Sequence, residues 1–278
     1  MEYTTHIKAK SGWFDIDLKE LFRYRDLVFL FVKRTYTTMY KQTILGPMWL
    51  ILNPLITVML YAFVFGRVAG LSTDGAPYFA FYLCSNAIWS FFATCITETS
   101  STFTANAAIL GKVYFPRLVM PISSVVTAML NMMIQLGILV FVLVYYGLSG
   151  VELHISRAVL LVPVLIIQTG LLGLGCGIIV AALTTKYRDL VILVSFGVQL
   201  WMYASPVVYT FSQIPEKYLS FYLLNPMAPI ITVWRHAILG TKGIQGIYWG
   251  ISWLITVAVL FTGIILFSRI ERTFMDTV

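Results

Sequence analysis

Charged residues are scarce in this chain of 278 residues. They make up only 11% of it, whereas a soluble domain carries roughly a quarter, and 59% of the residues are hydrophobic. A soluble chain of this composition would have too little polar surface to cover its core. The composition therefore favours a protein that uses the bilayer as its solvent.

Motifs of catalysis and cofactor binding are missing as well. The sequence contains no GxxxxGK[ST] phosphate loop, no HExxH and no GxSxG. Cys84, Cys95 and Cys176 lie in apolar stretches without CxxC spacing, so we interpret them as small apolar side chains. We expect no catalytic residue, no metal site and no cofactor in this chain.

Long uncharged runs are what the sequence has instead. A transmembrane helix needs about 20 mostly apolar residues, and six runs meet this length. We therefore predict an all-α polytopic membrane protein with six spans. The runs are Ile44–Gly66, Ala76–Thr97, Leu118–Val151, Ala158–Thr185, Leu190–Pro215 and Gly243–Ser268.

The stretch Tyr218–Trp234 is apolar but short, and Asn225, Pro226 and Pro229 interrupt it. Proline breaks a helix because it lacks an N–H group. We predict re-entrant or interfacial helices here, between spans five and six on the outer side. Non-helical backbone is tolerated at membrane depth where it packs against protein or lines a cavity.

The basic residues predict the orientation. The net charge of +7 is spread along the chain without a basic stripe, which argues against nucleic acid as a partner. With six spans, fourteen Lys and Arg residues fall on one side and five on the other, so the positive-inside rule places both termini in the cytoplasm. The five are Arg67, Arg157, Lys217, Arg235 and Lys242.

The segment before the first span is amphipathic. Leu18, Leu21, Phe22, Arg25 and Phe29 follow each other at helical spacing among charged residues. We predict a helix in the cytoplasmic interface, capped by Asp15 or Asp17, although a simple charged flank of span one is the alternative. The whole chain, 1–278, forms one transmembrane domain in this interpretation, with an N-terminal segment 1–43, a six-span region 44–268 and a tail 269–278.

Ionisable groups are nearly absent from the six spans, although proton- or sodium-coupled transporters place such groups near the membrane midplane. The energy for active transport would then come from a separate ATPase chain. A passive pore is the main alternative to an active transporter.

The connection from Thr97 to Arg117 is polar, then amphipathic, then broken by Pro116. It predicts either a short helix along the membrane face or an ordinary turn.

Several motifs, in order and covering nearly the whole chain, resemble permeases of polysaccharide-exporting ABC transporters. The run from Tyr40 to Trp49 (YKQTILGPMW) followed by Asn53-Pro54 is similar to the first-span signature of that family. The later motifs that carry the resemblance are Lys112 to Arg117 with Pro121, Lys186 to Asp189, Ser205 to Tyr209, and Leu224 to Pro226. Exporters of lipid-linked O-antigen are the most similar members, with capsule and teichoic-acid exporters close behind.

The resemblance implies a bacterial inner-membrane transport subunit rather than an enzyme. It implies a homodimer of permeases with two nucleotide-binding subunits that bind ATP and Mg²⁺, and an undecaprenyl-diphosphate-linked glycan that passes between the permeases. Contacts with the ATPase would come from the loops, and the residues that it implies for this coupling are Asn106, Lys112, Phe115, Pro116, Arg117, Lys186, Arg188 and Asp189.

Aromatic residues make up 15% of the chain, and sugars present apolar C–H faces that stack on rings. Interfacial belts and lipid-facing surface are the alternative explanation. By analogy with the family, we expect Tyr61, Phe65, Trp89, Phe92, Trp201 and Tyr203 to line the channel.

Basic residues could steer the lipid diphosphate at the cytoplasmic entry or simply anchor the chain; these are Arg25, Lys33, Arg34 and Lys41. Arg67, outside span one, has the same two explanations. A permease for another cargo, such as a drug or small lipid, a passive channel, and a membrane-embedded lipid enzyme remain alternatives.

Overall fold

The computed structural model describes residues 18–41, 43–106, 109, 115–151, 156–184 and 189–277, and all regular structure in these ranges is helical. We number the α-helices in chain order. They are α1 (Leu18–Arg23), α2 (Arg25–Tyr40), α3 (Trp49–Tyr61), α4 (Tyr78–Ala105), α5 (Val119–Leu148), α6 (Val162–Thr184), α7 (Leu190–Tyr203), α8 (Glu216–Leu223), α9 (Met227–Leu239) and α10 (Gly246–Thr277).

Five of the predicted spans are present as helices long and apolar enough to cross a membrane. Their limits lie within three residues of the expected ones, except that the second helix continues from Thr97 to Ala105. Short 3₁₀ segments, Gly46–Met48 and Arg157–Leu161, begin the first and fourth of them. A π-helical segment, Ala62–Val68, ends the first. The five are Gly46–Val68, Tyr78–Ala105, Val119–Leu148, Arg157–Thr184 and Gly246–Phe267. The chain is therefore a multi-pass membrane protein.

The predicted fifth span, Leu190–Pro215, is not one continuous helix. Helix α7 has 14 residues, which is about 21 Å at 1.5 Å per residue and is short of the ~30 Å hydrocarbon core. It ends at Tyr203 because Pro206 follows, and the Ala204 carbonyl and the Ser205 hydroxyl instead accept hydrogen bonds from Asn225. The predicted run Leu190–Pro215 is uncharged throughout, so its hydropathy did not indicate that the helix ends at Tyr203.

Two short helices, α8 and α9, occupy the region where re-entrant or interfacial elements were predicted. Helix α9 has 13 residues and is buried along most of its length. Within it, the Trp234 side chain is fully buried and donates its indole N–H to the Cys84 carbonyl at 3.0 Å. Helix α9 is thereby joined to the first turns of α4.

Helices α4 and α6 form the centre of the molecule, and α10 packs closely against α6. A Cβ on Gly173 would come within 2.5 Å of the Cys95 Cβ, and one on Gly175 within 2.8 Å of the Leu260 Cα. Both positions therefore need glycine. Around this centre, α3, α5 and the apolar part of α10 keep much of their surface exposed, as expected of helices that face lipid or another protein.

The amphipathic N-terminal segment is helical, as predicted, but it has two apolar faces. Leu21, Leu27 and Phe31 pack against the protein, whereas Phe22 and Phe29 are 70% and 65% exposed. The proposed caps at Asp15 and Asp17 lie outside the described residues. We call the end of the bundle that carries α2 the α2 end, and the end that carries α9 the α9 end.

Candidate functional site

A hub of hydrogen bonds around Asn225 connects α7 to the segment that precedes α9. Its Oδ1 accepts a hydrogen bond from the Trp201 indole at 3.0 Å and one from the Met227 backbone N–H at 3.1 Å. Its Nδ2 donates to the Ser205 hydroxyl at 2.8 Å and to the Ala204 carbonyl at 3.1 Å. One side chain thus satisfies the broken end of α7 and fixes the start of α9.

The six aromatic residues predicted for the channel fall into two groups and one isolated member. Tyr61 and Phe65 lie 5.8 Å apart between ring centroids, and both contact Tyr82. Trp89, Phe92 and Trp201 form a continuous second group, with centroid distances of 5.5 and 5.1 Å. Tyr82 was not among the predicted residues, although it lies on the same helix as Trp89.

The exposure of these rings differs. Phe92 is fully buried and Trp89 is 4% exposed, so both pack within the core of the chain in this conformation. Tyr61, Phe65 and Trp201 are half-buried, and Tyr203 is 49% exposed. A channel role stays a prediction for all six, and the half-buried and exposed rings are those that a cargo could reach without unpacking the core.

Arg235 is the one charged side chain among the fully buried large residues of the described structure. Its guanidinium lies 4.5 Å from the centre of the Phe81 ring, and its Nη1 donates to the Tyr209 carbonyl at 3.1 Å and to the Ser85 hydroxyl at 3.4 Å. Burial lowers the pKa of Arg235 to about 10, so the group keeps its charge at neutral pH. The side chain joins α9 to α4 and to the turn after α7.

The predicted coupling residues gather, where they are described, at the α2 end. Phe115 is buried and its ring lies 5.9 Å from that of Phe31 in α2. Asn106 follows the last residue of α4 and donates to the Thr102 carbonyl. Pro116 and Arg117, which follow Phe115 in the chain, are half-buried. Asp189 is exposed before α7. Lys112, Lys186 and Arg188 lie outside the described residues.

A second apolar cluster surrounds Phe115. It brings together Phe31 of α2, Phe103 of α4, Ile178 of α6 and Phe267 of α10, and the rings of Phe103 and Phe267 are 5.6 Å apart. The N-terminal helix, the connection between α4 and α5, and the last long helix are therefore in one packed unit. A force applied to any of them would be transmitted to the others.

The four basic residues predicted for lipid entry are all exposed on α2 or at its end. Arg25 forms an ion pair with Asp26 at 3.8 Å, and the other three are Lys33, Arg34 and Lys41. Arg34 lines a cavity of about 330 Å³ between α2, α4 and α5. The same cavity contains Glu98, which the sequence analysis placed in the polar connection after the second span. The structure continues α4 past Thr97 to Ala105.

Comparison with known proteins assigns the class. Residues 26–239 match the membrane protein family described as ABC-2 type transporter, and this match covers most of the chain. The chain therefore belongs to the ABC-2 transporter membrane family, and the resemblance noted from its motifs is confirmed.

The chain is similar to proteins that are named for O-antigen export and for polysialic acid transport. The chain is 29% identical over 252 residues to the O-antigen export system permease protein RfbA of Klebsiella pneumoniae, covering 90% of this chain and 94% of that protein. It is 30% identical over 220 residues to RfbA of Myxococcus xanthus, covering 78% and 82%. It is 21% identical over 248 residues to the polysialic acid transport protein KpsM of Escherichia coli, covering 88% and 93%.

Proposed function

We propose that this chain is the permease subunit of an ABC exporter that moves an undecaprenyl-diphosphate-linked, O-antigen-type polysaccharide across the bacterial inner membrane. The observation that carries the proposal is the similarity, over nine-tenths of the chain, to a permease named for O-antigen export. The family match supports transport rather than covalent chemistry. The cargo is carried over from the names of the relatives.

The proposed topology has six crossings with both termini in the cytoplasm. Five crossings use the long apolar helices, and the sixth combines α7 with the turns that follow it. Helices α8 and α9 then form the re-entrant outer element, which makes the α9 end the outer end and the α2 end the cytoplasmic one. The excess of Lys and Arg before the first span supports this orientation. The whole chain acts as one transmembrane domain.

We further propose that two copies of the chain pair and that two separate ATPase subunits, which bind ATP and Mg²⁺, supply the energy. The packed unit around Phe115 supports this division of labour, because it links the connection after α4 to α2, α6 and α10. Closure of the ATPases against the loops at Asn106–Arg117 and at Lys186–Asp189 would then tilt several helices together.

The glycan would travel along the surfaces that carry Tyr61, Phe65, Trp201 and Tyr203. Rings suit a moving polysaccharide since each contact is weak and repeated. The exposed basic residues of α2, among them Arg34 in the lining of the cavity, would attract the lipid diphosphate at the cytoplasmic side.

Deletion of the gene from its bacterium tests the proposal. The glycan should disappear from the cell surface while its lipid-linked form accumulates inside, and the intact gene on a plasmid should restore export. A phosphate-loop ATPase should copurify with the tagged chain. Normal surface glycan in the deletion strain, or copurification of no ATPase, would contradict the proposal.

A capsule-type polysaccharide is the second candidate cargo, favoured by the full-length similarity to a polysialic acid transport protein. The same deletion strain distinguishes the two. Loss of the long-chain ladder from extracted lipopolysaccharide identifies an O-antigen, whereas an unchanged ladder with loss of the capsular polymer identifies a capsule. Teichoic acid, drug or lipid export would leave both polymers unchanged.

A further inference from the structure

The cavity between α2, α4 and α5 has two opposite charges on its walls. Its volume of about 330 Å³ is within the range of small-ligand sites. Glu98 contributes a carboxylate and Arg34 a guanidinium. Neither side chain forms an ion pair with another residue in the part of the chain that the structure describes. Both charges are therefore available to a ligand.

Glu98 occupies an unusual position. It is the sole acidic residue in the sequences of the five long apolar helices. An ionisable group within a membrane-spanning helix is costly to place there and marks a functional site by default. The side chain is exposed within the open cavity, so packing against the core does not explain its presence.

The hydroxyl groups around Glu98 are arranged as hydrogen-bond acceptors. Thr102 donates its proton to the Glu98 carbonyl at 2.7 Å, Thr127 donates to the Ser123 carbonyl at 2.8 Å, and Ser101 donates to the Thr97 carbonyl at 3.3 Å. Each hydroxyl has one proton, which the helix backbone already uses, so each oxygen can act only as an acceptor. The Thr102 oxygen accepts from the Ser124 hydroxyl at 3.2 Å and keeps one lone pair for a ligand. This wall of the cavity therefore suits a ligand that is rich in N–H donors.

The surroundings of the cavity point to a lipid. Helix α2 has basic residues and exposed apolar residues, which is the composition of a helix that lies in a membrane interface. Met39, which lines the cavity, is 50% exposed, so one side of the opening is apolar. A headgroup could enter here while its acyl chains stay in the bilayer.

We propose that this cavity binds the phosphoethanolamine headgroup of phosphatidylethanolamine. The primary ammonium has three N–H donors and a positive charge, which match Glu98 and the hydroxyl oxygens of Ser101, Thr102 and Thr127. The phosphate matches the guanidinium of Arg34. Phosphatidylcholine has the same phosphate but no N–H donor, and phosphatidylglycerol has no positive charge. The site therefore prefers the ethanolamine lipid to both. Arg34 is shared with the proposed entry of the lipid diphosphate, whereas Glu98 and the hydroxyl groups belong to this site alone. Binding of the ethanolamine lipid does not depend on the identity of the cargo.

The test uses the full-length protein in nanodiscs made of equal parts of the three phospholipids. Lipids that remain bound after mild detergent washing are counted by native mass spectrometry. We expect the wild-type protein to retain phosphatidylethanolamine about tenfold better than phosphatidylcholine, the effect of one charge-assisted hydrogen bond. Mono- and dimethylated ethanolamine lipids should show a graded loss as donors are removed.

Two variants separate the roles of the charges. Glu98→Gln should abolish the preference for ethanolamine over choline, whereas Arg34→Gln should weaken retention of both lipids equally because both have a phosphate. Arg23→Gln and Asp26→Asn are the controls, since both residues are exposed on the N-terminal helices without lining the cavity, and they should retain lipids like the wild type. Because Arg34 is exposed, its variant should fold even if the Glu98 variant does not.

Equal retention of the three lipids by the wild-type protein would overturn the proposal, as would an unchanged preference in Glu98→Gln. Preferential retention of phosphatidylglycerol would show a general anion site and would also overturn it. Free phosphoethanolamine, added at millimolar concentration, should displace little of the bound lipid, since it lacks the acyl chains. Complete displacement would show a site for a soluble ligand and contradict the assignment to a lipid.

Discussion

The indole N–H of Trp201 donates a hydrogen bond to Oδ1 of Asn225 at 3.0 Å, across the break that ends α7. The same oxygen accepts the Met227 backbone N–H, and the amide nitrogen holds Ser205 and Ala204. The side chain of Asn225 thus supplies a donor to the Ala204 carbonyl, which lies just beyond the end of α7. A polar residue in an apolar stretch here fixes the geometry of two helix ends at once.

Replacement of Asn225 by Ala should destabilise the protein by about 1–3 kcal/mol, because it leaves several polar groups without a partner. Thermal unfolding in detergent, followed by tryptophan fluorescence, measures the effect. Trp201→Phe removes only one of the hydrogen bonds and keeps a ring against Phe92, so its cost should be clearly smaller. Equal effects from the two variants would show that Asn225 does not act as the hub.

Arg235→Gln should lower stability by about 2–4 kcal/mol, since a buried charge and its contact with Phe81 are lost together while the Tyr209 carbonyl loses its donor. Arg67→Gln is the control, because Arg67 is exposed and a surface change of this kind stays within about 0.5 kcal/mol. Both variants can be compared by the temperature at which the purified protein aggregates. A similar aggregation temperature for the two variants would contradict a structural role for Arg235.

Gly175→Ala should destabilise the contact between α6 and α10 by about 1–3 kcal/mol, the usual cost of overpacking. The new Cβ would lie 2.8 Å from the Leu260 Cα, a backbone atom that cannot rotate away. Gly137→Ala is matched to it, because Gly137 also lies within a long helix but has no atom within 4 Å of the new Cβ. That change should be neutral or stabilise the protein by up to ~1 kcal/mol. Guanidinium- or heat-induced loss of folded protein would rank the two, and the reverse order would refute the packing argument.

Phe31→Ala should uncouple ATP hydrolysis from export, because Phe31 connects α2 to Phe115. Export of glycan should fall severalfold while the basal ATPase rate of the purified complex is kept. Phe29→Ala removes an equal ring from the same helix, but Phe29 is 65% exposed and the export rate should be nearly unchanged.

Charge reversal at Arg117 or Arg188 should reduce export in the same way without loss of membrane insertion. Unchanged export in Phe31→Ala and in both charge variants would remove this region from the coupling path.

Phe92→Ala and Tyr203→Ala separate core packing from cargo contact. Phe92 is fully buried, so its truncation should cost about 3–5 kcal/mol and reduce the amount of folded protein. Tyr203 is 49% exposed, so its truncation should leave stability within about 0.5 kcal/mol and lower only the export rate. Export normalised to the amount of folded protein in the membrane is the readout. A normal rate in Tyr203→Ala would exclude that ring from the glycan path.

Much of the architecture could be read from the sequence because the bilayer imposes a simple rule. A helix that crosses it must be apolar for about 20 residues. Five runs of this kind begin close to the helices of the structure, and four of them also end close to them. The run Leu190–Pro215 satisfied the same rule but is broken, because the hydrogen bonds that end α7 come from Asn225, a residue outside the run. Hydropathy contains no information about such a partner.

The functional residues were harder to predict. Helix α4 is apolar and buried on nearly every side, so its sequence did not distinguish the face of Trp89 and Phe92 from a face that meets solvent. Glu98 was overlooked because the first charge was used as the end of a span, whereas the helical backbone continues for two more turns. The pairing of Phe31 with Phe115 joins distant parts of the chain, which no local pattern reveals.

The close fit of α4, α6 and α10 limits where a polymer can go. Gly173 packs against α4 and Gly175 against α10 with no room for a methyl group, so at these positions α6 leaves no passage between itself and either neighbour. A polymer carried by this chain would therefore have to pass along its outer surface. Helices α3 and α7 have many exposed apolar side chains, and these are the surfaces that another protein would have to cover.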